Sequence, residues 1–367
     1  MGTYRVAVYA ICKNEAQFAR RWMASMSEAD RVIVLDTGSE DGTPDILREL
    51  GADVTREQVE PWRFDTARNR SLALVPGNTD ICVCTDLDEV FRPGWRAALE
   101  RAWCPGVGQA HYPYIWSFTA DGKDGVVFWA DKIHARHGWH WAGPVHEVLR
   151  SDTPVRAVFV PDIRLEHHPD PAKSRGQYLP LLELAVAEEP ENDRNVHYLG
   201  REYLFYGRWT EAQETLLRHL RLPAAVWPEE RCASMRYLSR CARELGRPDE
   251  EEQWLLRACA EAPALREPWL DLARLFLHRE DWHGVVWAAR RALRITKRPE
   301  TYLTEPEAWG ELPYDLLAVA LYYLGDYRHA LAMGEEALKR SPMDRRLREN
   351  VRLMRQRATD RKKISDN

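Results

Sequence analysis

The stretch "CVCTDLDEVF", residues 82–91, decides how the first half of the chain is read. Apolar residues from Ile81 run straight into three acids, Asp86, Asp88 and Glu89. A short apolar run closed by polar residues reads as a buried strand, so the acids stand at its carboxyl end. Carboxylates that close repel one another, and positive charge is expected among them, either a metal ion or a set of basic side chains. Cys82 and Cys84 alternate with apolar residues on the strand, which fits core packing better than metal binding.

Outward from there, "RVAVYAI" (5–11), "RVIVLDT" (31–37) and "RAVFVPDIRLEH" (156–167) are further strands rich in Val and Ile. Between the first two, Phe18, Trp22 and Met26 recur every fourth residue and mark a helix with one apolar face. In the next segment Thr43 is placed to cap a helix, with Pro44 at its first position and Gly51 closing it. This alternation predicts an α/β domain with a Rossmann-like, mostly parallel sheet. Ligands of such sheets sit beyond the carboxyl ends of the strands, where Asp36 and the acidic cluster both fall.

After Pro171 the period changes. Four segments spaced 34 to 39 residues apart each read as helix, turn, helix. The last, residues 312–342, carries Tyr314, Leu317, Ala318, Gly325, Tyr327, Ala330, Ala337 and Pro342, and resembles the tetratricopeptide repeat. Glu280 stands where the other units have a turn glycine. Such units bury their apolar faces only by stacking, which predicts an all-α solenoid. The expected division is 1–170 catalytic α/β domain, 171–345 helical repeats and 346–367 basic helix or tail. Residues 339–363 hold eleven Lys or Arg against three Asp or Glu, read either as a solvated helix or as a phosphate-binding surface.

The bulk numbers narrow the class. With 45% hydrophobic and 30% charged residues the chain is globular in composition, and its net charge of −5 gives no global sign of nucleic-acid binding. No apolar run approaches the roughly 20 residues that span a bilayer. The first segment lacks the marks of a signal peptide, and seven scattered cysteines read as reduced thiols. A cytoplasmic location without a membrane partner is expected.

Four motifs follow in order: "ICKNE" (11–15), "LDTGSEDGT" (35–43), "FDTARNRSLAL" (64–74) and "TDLDEVF" (85–91). Together they resemble a family-2 glycosyltransferase of the GT-A fold. With the repeats, the chain is similar to peptide S-glycosyltransferases and to virus-encoded DNA glycosyltransferases. The resemblance implies inverting transfer from a nucleoside-diphosphate sugar, most often a UDP-sugar, with a divalent cation, Mn²⁺ or Mg²⁺. It makes Asp88 the leading metal ligand and puts Asp86 on ribose, metal or metal-bound water. Asp36 falls on base or ribose, and Ile11 and Lys13 in the first nucleotide-binding loop. Arg68 either forks onto the diphosphate or forms a structural salt bridge, Asn69 bonds adjacent backbone, and Glu89 orients its neighbours or faces water.

Further along, "KIHARHGWHWAGPVHEVL" (132–149) ends in a His-Glu pair. Similar enzymes hold such a pair near the anomeric carbon, so Glu147 is the first candidate for the base and His146 the second. Arg68 or Arg136 would balance the leaving diphosphate. By the same resemblance His167 is a further metal ligand, with His168 competing. Trp116, Trp129, Trp139 and Trp141 divide between core packing and stacking on sugar or a flat acceptor. The repeats suit a polymeric acceptor, peptide or protein first, a hydroxymethylated base in DNA second and a lipopolysaccharide core sugar third. A homodimer through the helical half is left open. Two other classes stay in view: a repeat scaffold whose transferase half is inactive, and a nucleotidyltransferase.

Overall fold

All seven residues of β1 (Val6–Cys12) are buried, as a strand covered on both faces requires. It pairs in parallel with β2 (Arg31–Asp36) on one side and β4 (Ile81–Cys84) on the other, and β3 (Asp53–Arg56) extends the row beyond β2. Helices α1 (Ala16–Met26), α2 (Thr43–Glu49) and α3 (Phe64–Leu74) make the crossovers. The computed structural model describes residues 4–119, 122–171 and 176–365. Past β4 the sheet turns mixed. β7 (Val127–Ala135) runs antiparallel to β4, and β6 (Val107–Ile115) antiparallel to β7. β11 (Leu165–His167) then lies parallel to β6, and β5 (Glu89–Phe91) antiparallel to β11. The order is β3-β2-β1-β4-β7-β6-β11-β5, with β10 (Arg156–Phe159) also on β6. Helix α4 (Trp95–Ala102) follows β5, and β8 (Trp139–Ala142) pairs with β9 (Val148–Ser151) as a separate hairpin.

Two local readings change. The stretch 156–167 is two strands, β10 and β11, because Pro161 cannot donate to a ladder and the chain turns there. Thr43 does not cap α2; Gly42 holds that position. Asp41 accepts the Thr43 N–H at 3.0 Å, while the Thr43 hydroxyl accepts the Glu15 N–H at 2.7 Å and so ties α2 to the mouth of α1.

Under the sheet's carboxyl rim runs a buried polar chain. Trp141 Nε1–H donates to the Tyr9 hydroxyl at 2.8 Å, and Tyr9 Oη lies 2.8 Å from His134 Nε2. His134 Nδ1 lies 2.8 Å from the Ala135 carbonyl, which only accepts. The ring is therefore the Nδ1–H tautomer, and Tyr9 donates to Nε2. Burial pushes the His134 pKa down from 6.5 to about 4.

By packing, the chain divides into one unit of Met1–Glu188 with Glu300–Tyr302 and another of Glu189–Pro299 with Leu303–Asn367. Helix α5 (Tyr178–Glu188) sits in the first, held by Arg63, whose Nη1 meets Glu188 Oε1 at 2.5 Å. The second unit is helical and carries four helix pairs among the described residues: α6 (Asp193–Phe205) with α7 (Trp209–Arg221), α8 (Pro228–Glu244) with α9 (Pro248–Glu261), α10 (Glu267–His278) with α11 (Trp282–Arg294), and α13 (Leu312–Tyr323) with α14 (Tyr327–Arg340). A short helix, α12 (Pro306–Trp309), lies before the last pair. No helix among the described residues is long and apolar enough to cross a membrane.

The turn inside each pair has one geometry. Gly207, Gly246 and Gly325 have φ of 70°, 71° and 77°, and Glu280, at the same place, has φ 55°. Around them the backbone closes in the same way. Arg208, Arg247, Asp281 and Asp326 N–H groups reach back five residues to the carbonyls of Tyr203, Ala242, Phe276 and Leu321. This satisfies the orphan carbonyls at each helix end, and only a left-handed residue permits it. Turn positions 207, 246, 280 and 325 stand 39, 34 and 45 residues apart, so the last spacing exceeds the expected range because the segment with α12 is inserted. The basic end is the helix α15 (Arg345–Ser365). Leu347, Val351 and Met354 bury one face of it, and Met354 joins the cluster of Ala318, Leu321 and Ala330.

Two outcomes follow. Glu280→Gly removes the penalty of a side chain in the left-handed region and should stabilise the helical unit by about 1 kcal/mol. A melting point equal to or below wild type counts against that reading of the turn. The folded-state pKa of His134 lies below its unfolded value, so its contribution is present above pH 6.5 and is lost as pH falls toward 4. Urea titrations over that window should show a wild-type loss from this group of about 1.4 kcal/mol per pH unit, absent in His134→Gln.

Candidate functional site

The loops leaving β1 and β2 are laced together. Asn14 takes a left-handed backbone, φ 56°, its N–H donates to Ser39 Oγ at 2.9 Å and its Oδ1 accepts the Glu40 N–H at 2.7 Å. Lys13 is exposed on this loop, whereas the Ile11 side chain packs with Leu35, Val59 and Ala67. The Asp36 carboxylate is wholly buried. Both its oxygens lie 3.2 Å from the Ser39 N–H donor, and Arg56 Nε is 3.2 Å from Oδ2. Burial, helped by the Asp36 charge, pushes the adjacent Cys12 thiol far up, so it is a neutral thiol.

At the end of β4 the acids find their positive charge. Arg68, on α3, is 4% exposed and faces Trp141, its guanidinium carbon 5.2 Å from the ring centre. Its Nη2 donates to Asp86 Oδ1 at 2.8 Å, its Nε to Glu147 Oε1 and its Nη1 to Cys84 Sγ at 3.4 Å. Burial opposes that charge, but Asp86 and Glu147 outweigh it and hold the guanidinium well above its ordinary range. Glu89 is 1% exposed. Its Oε1 accepts from the Tyr114 hydroxyl at 2.8 Å and from Lys132 Nζ at 3.1 Å, and its Oε2 from the Asp86 N–H at 2.9 Å. Lys132 Nζ also lies 3.5 Å from Asp86 Oδ2. Burial drives the Glu89 pKa up, with Lys132 pulling against it. For Asp86 and Glu89, then, the positive charge is a pair of basic side chains, and Glu89 neither faces water nor stands apart from its neighbours.

Asp88 has a different partner. Its Oδ2 lies 3.5 Å from His167 Nε2, and its carbonyl accepts the His168 N–H at 2.8 Å. Register explains the meeting, since β11 pairs antiparallel with β5 and sets His167 opposite Glu89. His167 Nδ1 faces the Trp116 carbonyl at 3.3 Å, which leaves Nε2 toward Asp88, and its ring stacks on Trp116 at 4.3 Å. Burial opposes the charged ring, but Asp88 wins and raises the pKa above its usual value. One carboxylate oxygen and one imidazole nitrogen this close form a donor pair that suits Mn²⁺ better than Mg²⁺. Asp86 is turned toward Arg68 and Lys132 instead. His168 bonds Glu166, 3.1 Å away. A cleft of about 430 Å³ opens beside His167, lined by Phe18, Arg21, Trp116, Phe118, His168 and Pro169 among others.

The His-Glu pair arrives on the loop before β9. His146 has a left-handed backbone, φ 49°, a conformation that costs a non-glycine residue about 1–3 kcal/mol and collects at functional sites. The turn sends Glu147 to Arg68, while the His146 ring packs 5.8 Å from that of Tyr178. Asn69 bonds backbone as expected: its side chain exchanges two bonds of 2.8 Å with Trp141. Arg136 lies at the opposite rim, where Ala135 pairs with Ile81 at the start of β4, and donates twice to the Val75 carbonyl. Among the four tryptophans, Trp141 is core and Trp116 is 48% exposed.

Lys132, Tyr114 and Arg56 were not singled out from the sequence. Lys132 carried a readable signal: it shares one face of β7 with Phe128, Ala130 and His134, and a lone lysine among apolar neighbours implies a buried acid. Arg56 and Tyr114 carried none, because their roles depend on which strands become neighbours.

A sheet with crossover helices and an acid-lined carboxyl rim puts the candidate site where open α/β sheets bind their ligands. Residues 7–125 match the family model for glycosyl transferase family 2, and the protein is a glycosyltransferase. A TPR repeat-containing protein of Synechococcus elongatus is 25% identical over 314 residues, covering 79% of this chain and 75% of its own length. The helical part has the paired helices and left-handed turns of tetratricopeptide-like repeats. Solved structures similar to the chain include MamA, at 15% identity, 45% of this chain, 86% of that one and TM-score 0.36. Another is Pseudomonas aeruginosa pilF, at 14% identity, 46% of this chain, 70% of that one and TM-score 0.37.

Replacing Lys132 tests the charge arrangement. Lys132→Met leaves Glu89 buried without its cation and should lower the stability of the α/β unit by about 3–5 kcal/mol. Adding Glu89→Gln should recover a large part of that loss. A double variant no more stable than the single one would separate the two residues energetically.

Proposed function

We propose that the protein transfers a sugar, with inversion, from a nucleoside-diphosphate sugar, UDP-sugar first, to a polymeric acceptor, peptide or protein first. The observation that carries this reading is the pairing of Asp88 with His167 at the rim, beside the Arg68 bridge between Asp86 and Glu147. A divalent cation, when bound, would be held by Asp88 and His167 with Asp86 nearby, and would supply positive charge to the diphosphate. Lys13 and the Ile11 backbone line the nucleotide side, and Asp36 shapes the base and ribose pocket through the loop it holds.

In the transfer, the acceptor heteroatom forms a bond to the anomeric carbon as the bond from that carbon to the diphosphate oxygen breaks. The acceptor proton passes to Glu147, with His146 as the second candidate. Arg68 fixes Glu147 and Asp86 in one frame, a positioning role that leaves less of its fork for the diphosphate than expected from sequence. Trp116 offers a flat face beside His167 for sugar or acceptor.

A thermal-shift panel of nucleoside diphosphates with Mn²⁺ identifies the base, since a ligand that binds only the folded form raises the melting point. Asp88→Asn should abolish the Mn²⁺-dependent part of the shift and leave the ligand-free melting point near wild type. Glu147→Gln should lower turnover by about 10²–10⁴-fold while retaining that shift. Full turnover in Glu147→Gln, or an undiminished Mn²⁺ response in Asp88→Asn, would overturn the assignments. Release of pyrophosphate from the donor would identify nucleotidyl transfer. Acceptor binding that weakens steeply with salt would identify DNA instead of peptide.

A further inference from the structure

We propose that the helical unit holds a zinc ion of its own, bound by Nε2 of His197, Nε2 of His219 and the carboxylate of Glu230. The three residues come from three successive helices, α6, α7 and α8, and are 0%, 0% and 3% exposed. Their ligand atoms all lie within 4.8 Å of one another, and among the described residues no other group of three or more His, Cys, Asp or Glu does so. His219 Nε2 and Glu230 Oε1 are 3.4 Å apart. Two donors of a tetrahedral zinc, each about 2.0–2.2 Å from the metal, stand at roughly that separation.

The outer arrangement suits metal binding. Ser234, one turn beyond Glu230 on α8, places its Oγ 2.8 Å from His197 Nδ1 and 2.9 Å from His219 Nδ1. A hydroxyl oxygen has two lone pairs, so with zinc bound it would accept from both Nδ1–H groups and hold both rings as the tautomer whose Nε2 lone pair meets the metal. Neither Nε2 has a hydrogen-bond partner among the described residues, although both are fully buried. Buried imidazole nitrogens without partners are rare in folded proteins and ask for a ligand. Arg194 and Arg201 add positive field near His197, and the Glu230 carboxylate opposes it. Two imidazoles and one carboxylate favour Zn²⁺ over Mg²⁺ or Mn²⁺, so this site and the rim would differ in metal preference. The ion would clamp the first helix pair to the second.

The test uses the full chain carrying Asp88→Asn, which removes the leading metal ligand of the rim. After chelation, reloading with ZnSO₄ and desalting, elemental analysis should find one zinc per chain and a raised melting point. Co²⁺ in its place should give the intense visible bands of a four-coordinate site. Ser234→Ala should weaken zinc binding by about 10- to 100-fold, and His219→Gln should abolish it. The proposal is overturned by zinc no higher than the buffer background, by undiminished zinc in His219→Gln, or by the weak bands of six-coordinate Co²⁺. The spectrum decides the matter without any variant in the cluster that fails to fold.

Discussion

The α/β unit is organised around Arg68. A guanidinium 4% exposed is a severe desolvation burden unless carboxylates meet it, and Asp86 and Glu147 do so from two segments far apart in sequence. Lys132 repeats the device one strand away with Glu89 and Asp86. Removing either cation would strand negative charge at a low-dielectric rim. The ion pairs therefore specify which loops must come together, and the hydrophobic sheet beneath supplies the stability. Asp88 sits outside this compensation, and it is the acid turned toward an imidazole.

Backbone strain marks the same rim. Asn14 and His146 both hold left-handed conformations there, one in the β1 loop and one in the turn that delivers Glu147. Asparagine adopts that region readily, but histidine does so at a cost that neighbouring contacts must offset. Phe64 N–H bonds the Pro144 carbonyl at 3.0 Å and Asp65 accepts the Gly143 N–H at 3.0 Å, so α3 grips this turn with the helix that also carries Arg68. One helix thus sets the position of the cation and of the carboxylate it holds.

Legibility in the sequence followed the range of the interaction. Strands β1, β2 and β4 and helix α1 were readable because their patterns are local. So were the helical repeats, down to Glu280 at a glycine position, where the left-handed turn is kept by the bonds around it. The acids at the end of β4 were legible as a site but not by partner. Nothing between residues 82 and 91 says whether metal or lysine stands opposite, since Lys132 reaches Glu89 only through the order β4-β7-β6-β11-β5. Asp36 was placed at the correct strand end, yet its enclosure by Ser39 and Arg56 depends on how its loop folds back.

The same reasoning explains why the helical unit hides chemistry that its repeat pattern conceals. Tetratricopeptide periodicity assigns small and aromatic residues to the packing seam, and His197, His219 and Glu230 lie in that seam as substitutions with no periodic meaning. A core could have filled those places with leucine, which would bury more apolar area and leave no polar atom without a partner. Three polar residues with a shared hydroxyl between the two rings are retained at a disadvantage to packing. A disadvantage of that kind is compensated either by a proton network or by an ion. The 3.4 Å separation of His219 Nε2 and Glu230 Oε1, about that of two ligands on one tetrahedral zinc, favours the second.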